Sequence, residues 1–236
     1  MKGFILQSVY EKDRQANISH LKDILPGMQL ADAVYPLYEK VPFVQRIAAI
    51  AKARTGKALR LGEIGCLMSH RRIWQQVIHT EGDEQEHYLV LESDSVIKDT
   101  GILQRRFEEM AGCYDLFFWG AWDGHLQLFH STKSSLEKGF THGVPYIKSV
   151  YCTYGYSVNK KAARYLLQQT KKIQYPVDQF KRYIEPGVLL IGGVMPELIT
   201  TLGTASYIKK NTNGRWYIRL FIALLDCKNS LICSLK

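Results

Sequence analysis

The sequence predicts an α/β fold, a sheet flanked by helices. Three observations carry that prediction: a strand-helix-strand pattern at the start, strand-length apolar runs alternating with helical patterns afterwards, and the chain's size. The 236 residues are enough for one α/β domain of roughly 200–250 residues. With 46% hydrophobic and 22% charged residues, the composition is that of a folded globular chain and excludes disorder. Residues 3–10 read as a short apolar strand, with Asp13 placed to cap the next element. Between 14 and 25, Ala16, Ile18, Leu21, Ile24 and Leu25 recur at helical spacing until Pro26-Gly27 stops the helix. Residues 28–34 supply a second strand, and the resulting βαβ unit predicts a parallel sheet.

Residues 42–60 carry Arg46, Lys52, Arg54, Lys57 and Arg60 with no acidic residue among them. They read as a solvated helix and loop in preference to the alternative, a basic arm facing a diphosphate. Residues 62–80 form a long helix whose apolar face is Ile64, Leu67, Met68, Ile73, Trp74, Val77 and Ile78. A buried strand over 88–92, an amphipathic helix over 99–110 and a strand over 115–119 come next. Residues 121–145 are loop-rich, with Gly124, Gly139, Gly143 and the histidines His125, His130 and His142. Residues 146–158 hold one or two strands interrupted at Gly155, and 159–169 a helix. A shorter helix spans 176–184 before Pro186-Gly187, and a last strand spans 188–191, ending at Gly192-Gly193. No internal repeat or low-complexity linker divides the chain, so it reads as one catalytic domain, 1–203, with a tail, 204–236.

The charge balance narrows the partners. Lys and Arg number 31 against 22 Asp and Glu, a formal +9 that suits an anionic partner: nucleic acid, an acidic membrane surface or a phosphorylated substrate. The basic residues are scattered and match no RNA- or DNA-binding motif, so nucleic-acid binding rests on charge alone. Five cysteines are widely spaced with no CxxC pair, which argues against a structural zinc site. The N-terminus meets polar residues too soon for a signal peptide, and no run approaches the ~20 apolar residues of a membrane span. The expectation is a reduced, cytoplasmic protein. In the tail, Lys209, Lys210, Arg215, Arg219, Lys228 and Lys236 face one acidic residue, Asp226. Trp216, Tyr217, Phe221 and several aliphatic residues are interleaved with them, a pattern that suits an interfacial helix on an anionic leaflet as well as it suits a docked C-terminal helix.

Two motifs concentrate the chemistry. The first is Gly62-Glu63-Ile64-Gly65-Cys66-Leu67-Met68-Ser69-His70 at the start of the long helix. There Cys66 and His70 share one face at i and i+4, and Glu63 lies one turn earlier. Cys and His alone are too few for a structural zinc site, and helix capping by Glu63 with a packed His70 is the plainer alternative. The second motif is Glu92-Ser93-Asp94, where a buried strand runs out. As strand residues at i and i+2, Glu92 and Asp94 point to one side and converge on one cation. The carboxyl ends of strands are where open α/β sheets bind ligands, so these carboxylates are candidates for holding a divalent cation against a phosphate-bearing substrate.

The first motif, followed about two dozen residues later by an apolar strand ending in an acidic triplet, resembles glycosyltransferase family 25. The likeness extends over most of the chain: the opening strand with Arg14, Ala31-Asp32-Ala33-Val34, Tyr154-Gly155-Tyr156 with Lys161-Ala162-Ala163, and Pro176-Val177-Asp178. The resemblance implies a GT-A-like nucleotide-diphospho-sugar transferase, a Rossmann-like mixed sheet flanked by helices. It implies an inverting transfer of galactose or glucose from UDP-galactose or UDP-glucose to a lipopolysaccharide or lipooligosaccharide acceptor, assisted by Mn²⁺ or Mg²⁺. The acceptor would be lipid-linked, and the enzyme peripheral at the cytoplasmic face of a bacterial inner membrane. In inversion one carboxylate takes the acceptor hydroxyl's proton. Asp178 is the candidate base and Asp123, beside a Trp122 able to stack on a sugar, its rival; Glu63 and His70 belong near the site. Glu92, Ser93 and Asp94 would bind the donor, with Asp94 the main metal ligand and Glu92 the second. The family usually has Glu-Asp-Asp where this chain has Ser93, which lowers the charge of the triplet. A catalytically degenerate member that binds sugar nucleotide without turnover is therefore an alternative.

Overall fold

The alternation of side chains along the central strands decides the layers of the fold. In the computed structural model, which describes residues 1–121, 124–137, 139–203 and 215–235 (the side chains of 215–223 excepted), β1 spans Lys2–Gln7 and β3 spans Tyr88–Leu91. Tyr88 and Val90 join Phe4 and Leu6 on one face, while Leu89 and Leu91 join Ile5 on the other. The first face is covered by α3 (Leu61–His79) and α5 (Lys160–Gln169), through Leu67, Trp74, Val77, Ala163 and Leu166. The second is covered by α1 (Gln15–Ile24) and α4 (Thr100–Cys113), through Ile18, Leu21, Leu103, Phe107 and Met110.

The remaining strands of this sheet are β2 (Met28–Asp32), β5 (Leu116–Gly120), β6 (Ser134–Glu137), β7 (Phe140–Gly143), β8 (Gly155–Val158) and β9 (Ile191–Met195). The eight strands run in the order β2-β1-β3-β8-β5-β9-β7-β6. The opening βαβ unit is parallel, as expected, and β3 is also parallel to β1. The sheet as a whole is mixed, because β8 enters antiparallel between β3 and β5. Since α1 leaves β1 on one face and α3 returns to β3 on the other, the chain reverses direction around β1. Such a reversal opens a crevice beyond the carboxyl ends of the strands.

Several local expectations are corrected. Residues 121–145 are not simply loop: β6 and β7 form a hairpin whose second strand pairs with β9. Gly155 begins β8 rather than interrupting a strand, and only a 3-10 turn, Ile147–Ser149, precedes it. The helix expected over 176–184 is reduced to a 3-10 turn, Phe180–Arg182. There the Tyr183 hydroxyl, which donates to the Tyr175 carbonyl and accepts from its N–H, pins the two ends together, and the segment is too short to repay helix nucleation. Gly192 and Gly193 lie inside β9 instead of ending a strand. A Cβ at Gly192 would sit 2.5 Å from the Phe117 ring, so glycine here marks close packing within a sheet. The short pair β4 (Ser95–Ile97) and β10 (Ile199–Thr201) gave no sequence signal.

The basic segment after β2 holds α2 (Val44–Thr55), which buries Ala51 and leaves its cationic residues Arg46, Lys52 and Arg54 exposed. In the tail, α6 (Arg215–Ser234) is a helix, and Asp226 bonds the His125 ring at 2.5 Å. Among the described residues, no helix is long and apolar enough to cross a membrane.

Candidate functional site

The carboxyl ends of β1, β2 and β3 open into a cavity that communicates with solvent. Each parallel strand delivers a different part of its wall: Glu11 and Arg14 after β1, residues 33–37 after β2, and Glu92, Ser93 and Asp94 after β3. The start of α3 closes it with Gly62, Cys66 and Ser69.

The α3 motif works as two stripes, each one helical turn long. On one, Gly65 and Ser69 face the segment after β2. A Cβ on Gly65 would lie 2.4 Å from the Val34 carbonyl oxygen, and the Ser69 hydroxyl accepts from the Val34 N–H at 2.8 Å while donating to the Gly65 carbonyl. On the other stripe Cys66 and His70 face Glu92. His70 is fully buried, with Nδ1 2.9 Å from the Tyr156 hydroxyl and Nε2 3.6 Å from Glu92 Oε1. The Trp74 indole N–H donates to that tyrosine oxygen, and Thr153 donates its hydroxyl to Glu92.

Beyond β3 the acidic triplet divides. Glu92 turns to the α3 side, beside His70, and Ser93 to the α1 side, beside Arg14. The Ser93 hydroxyl donates to Glu11 Oε2 at 2.5 Å and accepts from the Arg14 guanidinium at 2.9 Å. Asp94 Oδ2 pairs with Arg14 at 3.0 Å, while its buried Oδ1 has no hydrogen-bond partner. Residues 92–94 form a turn, because β3 ends at Leu91; the expected i and i+2 strand geometry does not hold, although both carboxylates reach the cavity wall.

Charges this close perturb one another. Burial raises the Asp94 carboxyl, the Glu92 charge adds to it, and against Arg14 the group reaches about 6. Burial also works to raise Glu92, but the His70 imidazole, the Thr153 hydroxyl and Arg14 outweigh it and hold that carboxyl below the usual range. The Cys66 thiol is pushed well up by burial, then by Glu92, Asp178 and Asp94. One carboxylate is thus held ionised beside another that resists ionisation.

The model of glycosyltransferase family 25, LPS biosynthesis protein, matches residues 4–181 of the chain. The chain belongs to glycosyltransferase family 25. A comparison with curated proteins finds no match. The mixed sheet flanked by helices is consistent with the GT-A-like fold of nucleotide-sugar transferases, and the family makes the protein a transferase of the lipopolysaccharide-biosynthesis type.

Within this family 25 chain the structure brings His70 to Glu92 and holds Ser93 and Asp94 together on Arg14, two groups that meet at the cavity wall. Glu63 is elsewhere: at the first turn of α3 its carboxylate accepts from the Arg60 N–H at 2.8 Å and from the Arg60 guanidinium at 2.5 Å, a helix cap. Asp178 lies in the turn before Phe180–Arg182, not at a helix start, and its charge is felt at Cys66 and Arg60. Asp123 and Trp122 lie outside the described residues. Sequence reasoning missed Glu11, Thr153 and the role of Arg14 in fixing the triplet. A signal for two of them was present: the charged run Glu11-Lys12-Asp13-Arg14 immediately follows the first strand, at the sheet edge where ligands bind.

Proposed function

We propose that this protein is an inverting glycosyltransferase that moves galactose or glucose from a UDP-sugar to a lipopolysaccharide or lipooligosaccharide acceptor. The observation that supports this reading best is Asp94 Oδ1, a buried carboxylate oxygen without a hydrogen-bond partner, in the wall of a cavity at the carboxyl edge of the sheet. Mg²⁺ and Mn²⁺ take oxygen ligands and need only one or two protein carboxylates beside substrate phosphates. Asp94 fits that role, with Glu92 as the second carboxylate. When bound, the cation would offset charge on the departing nucleoside diphosphate.

The chain's own residues supply the rest. Arg14 fixes Asp94 through one oxygen and leaves the other turned to a ligand. Tyr35 and Leu37, in the cavity wall, offer a ring and an apolar surface to a base or sugar. Asp178 would take the proton of the acceptor hydroxyl as that oxygen attacks the anomeric carbon, with no covalent enzyme intermediate. The tail, basic and apolar, would hold the protein at an anionic membrane surface near a lipid-linked acceptor. Truncation after residue 203 would then move protein off anionic vesicles; unchanged partitioning would reject the attachment.

The test of function is UDP release from a panel of UDP-sugars, with and without Mn²⁺, in wild type, Asp94→Ala and Asp178→Asn. Metal-dependent release from one donor, lost in Asp94→Ala, is the expected result. Acceptor-dependent transfer lost in Asp178→Asn, with donor binding kept, supports the base. Absence of both binding and release for every donor would overturn the assignment. Donor binding without turnover under any acceptor would favour the degenerate reading.

A further inference from the structure

We propose that Cys66, His70 and Glu92 form a binding site for a thiophilic divalent ion of the zinc type, which takes Glu92 from the hard-cation pair and leaves Asp94 as the carboxylate of that role. One ligand atom from each of these three side chains lies within 4.8 Å of the other two. Cys66 and His70 come from adjacent turns of α3, and Glu92 is brought to them across the end of β3.

His70 carries the argument. Its side chain has no exposed surface, and its Nε2 has no hydrogen-bond partner, an expensive condition for a buried polar atom. Nε2 faces Glu92 Oε1 at 3.6 Å, beyond hydrogen-bond length. Two ligands of one tetrahedral zinc, at bond lengths of ~2.0–2.3 Å, stand about 3.3–3.8 Å apart, so this gap matches the edge of such a tetrahedron. The Cys66 sulfur completes the set, within 4.8 Å of the other two ligand atoms. The second ring nitrogen is already engaged: Nδ1 lies 2.9 Å from the Tyr156 hydroxyl, which Trp74 fixes in turn. Metal-binding histidines are commonly oriented through the other nitrogen in this way. The Thr153 hydroxyl does the same for Glu92.

The charge balance also fits. Binding would release the Cys66 thiol proton to solvent, and a dication with one thiolate and one carboxylate is neutral, as a poorly solvated site requires. Cys66 and Glu92 both line the cavity, so a fourth position, for water or a substrate oxygen, opens toward it. Three protein ligands with one open position is the pattern of reactive rather than structural zinc.

Full-length protein stripped with a chelator and titrated with Co²⁺ tests the site. The expected result is a thiolate-to-cobalt charge-transfer absorption that saturates at one equivalent and is displaced by Zn²⁺. It should vanish in Cys66→Ser and persist when the other four cysteines (Cys113, Cys152, Cys227 and Cys233) are changed to serine. If one of these variants does not fold, the other still assigns the thiolate. No charge-transfer band in wild type overturns the proposal. So does a band that survives in folded Cys66→Ser, or one lost in the folded variant that keeps only Cys66. None of these readouts depends on UDP-sugar turnover, so failure here and failure of the transferase reading are separate results.

Discussion

Replacing Gly65 by alanine sets two effects of known sign against each other. In an unobstructed helix interior the exchange is stabilising, by ~0.8–1 kcal/mol. At Gly65 the new Cβ would meet the Val34 carbonyl oxygen at 2.4 Å and Pro36 Cδ at 2.6 Å, whereas ordinary contact begins at 3.4 Å. The helix and the segment after β2 must therefore separate by about 1 Å, and a backbone oxygen cannot rotate aside as a side chain could. Overpacking of this kind costs ~1–3 kcal/mol, and a backbone clash belongs at the upper end. The net expectation is a loss of ~2 kcal/mol, which for a chain of this size lowers Tm by about 4–8 °C. Thermal unfolding followed by circular dichroism measures it. Gly112, in α4, is a built-in control, because a Cβ there meets nothing within 4 Å. Gly112→Ala should hold or raise Tm. If Gly65→Ala melts at or above wild type, the close approach of α3 to residues 34–36 is not a feature of the folded protein.

Three further outcomes rest on the same contacts and their neighbours. Ser69→Ala leaves the buried Val34 N–H without its acceptor and should cost ~1–3 kcal/mol in denaturant unfolding, whereas a neutral effect would remove that bond from the account. Arg14→Met strands Glu11 and Asp94 as buried carboxylates and should destabilise by ~3–5 kcal/mol at neutral pH; full stability would show that the three do not form an ionic cluster. His87, buried at the start of β3, donates Nε2–H to the Tyr114 carbonyl, and burial pushes its pKa down to about 4 from 6.5. The unfolded chain thus binds a proton that the fold refuses, so stability rises with pH across that window. About 3 kcal/mol should be lost as the pH falls from 6.5 to 4, and His87→Gln should flatten that part of the curve; identical slopes for the two proteins would refute it.

The α/β class was legible because its causes are local. Apolar spacing marks α1, α3 and α4, and Asp99 and Asn159 cap α4 and α5 through their side chains. Glycine was the main source of error. At Gly155, Gly192 and Gly193 it reads as a break, yet all three lie in strands, Gly155 beneath Ile199 and Gly192 against Phe117 and Tyr114. No local rule reveals a packing partner distant in the chain. The same holds for the site. The two motifs can be found by eye, but that Glu92 meets His70 while Ser93 meets Glu11 depends on where β3 stops and which helix covers each face. The antiparallel entry of β8, which supplies Tyr156 behind His70, is likewise invisible in a chain that opens with a parallel unit.

The serine of the acidic triplet has a consequence for how this site can change by mutation. Its hydroxyl donates a hydrogen bond to Glu11 and accepts one from Arg14. An ionised aspartate in its place can only receive, and it would confront the Glu11 carboxylate across a gap now closed at 2.5 Å. Charge at position 93 and charge at position 11 therefore exclude each other, since both would draw on one arginine that Asp94 already shares. The two positions are epistatic. Ser93→Asp should therefore be tolerated better in a protein whose Glu11 is already neutral than in one that keeps its charge.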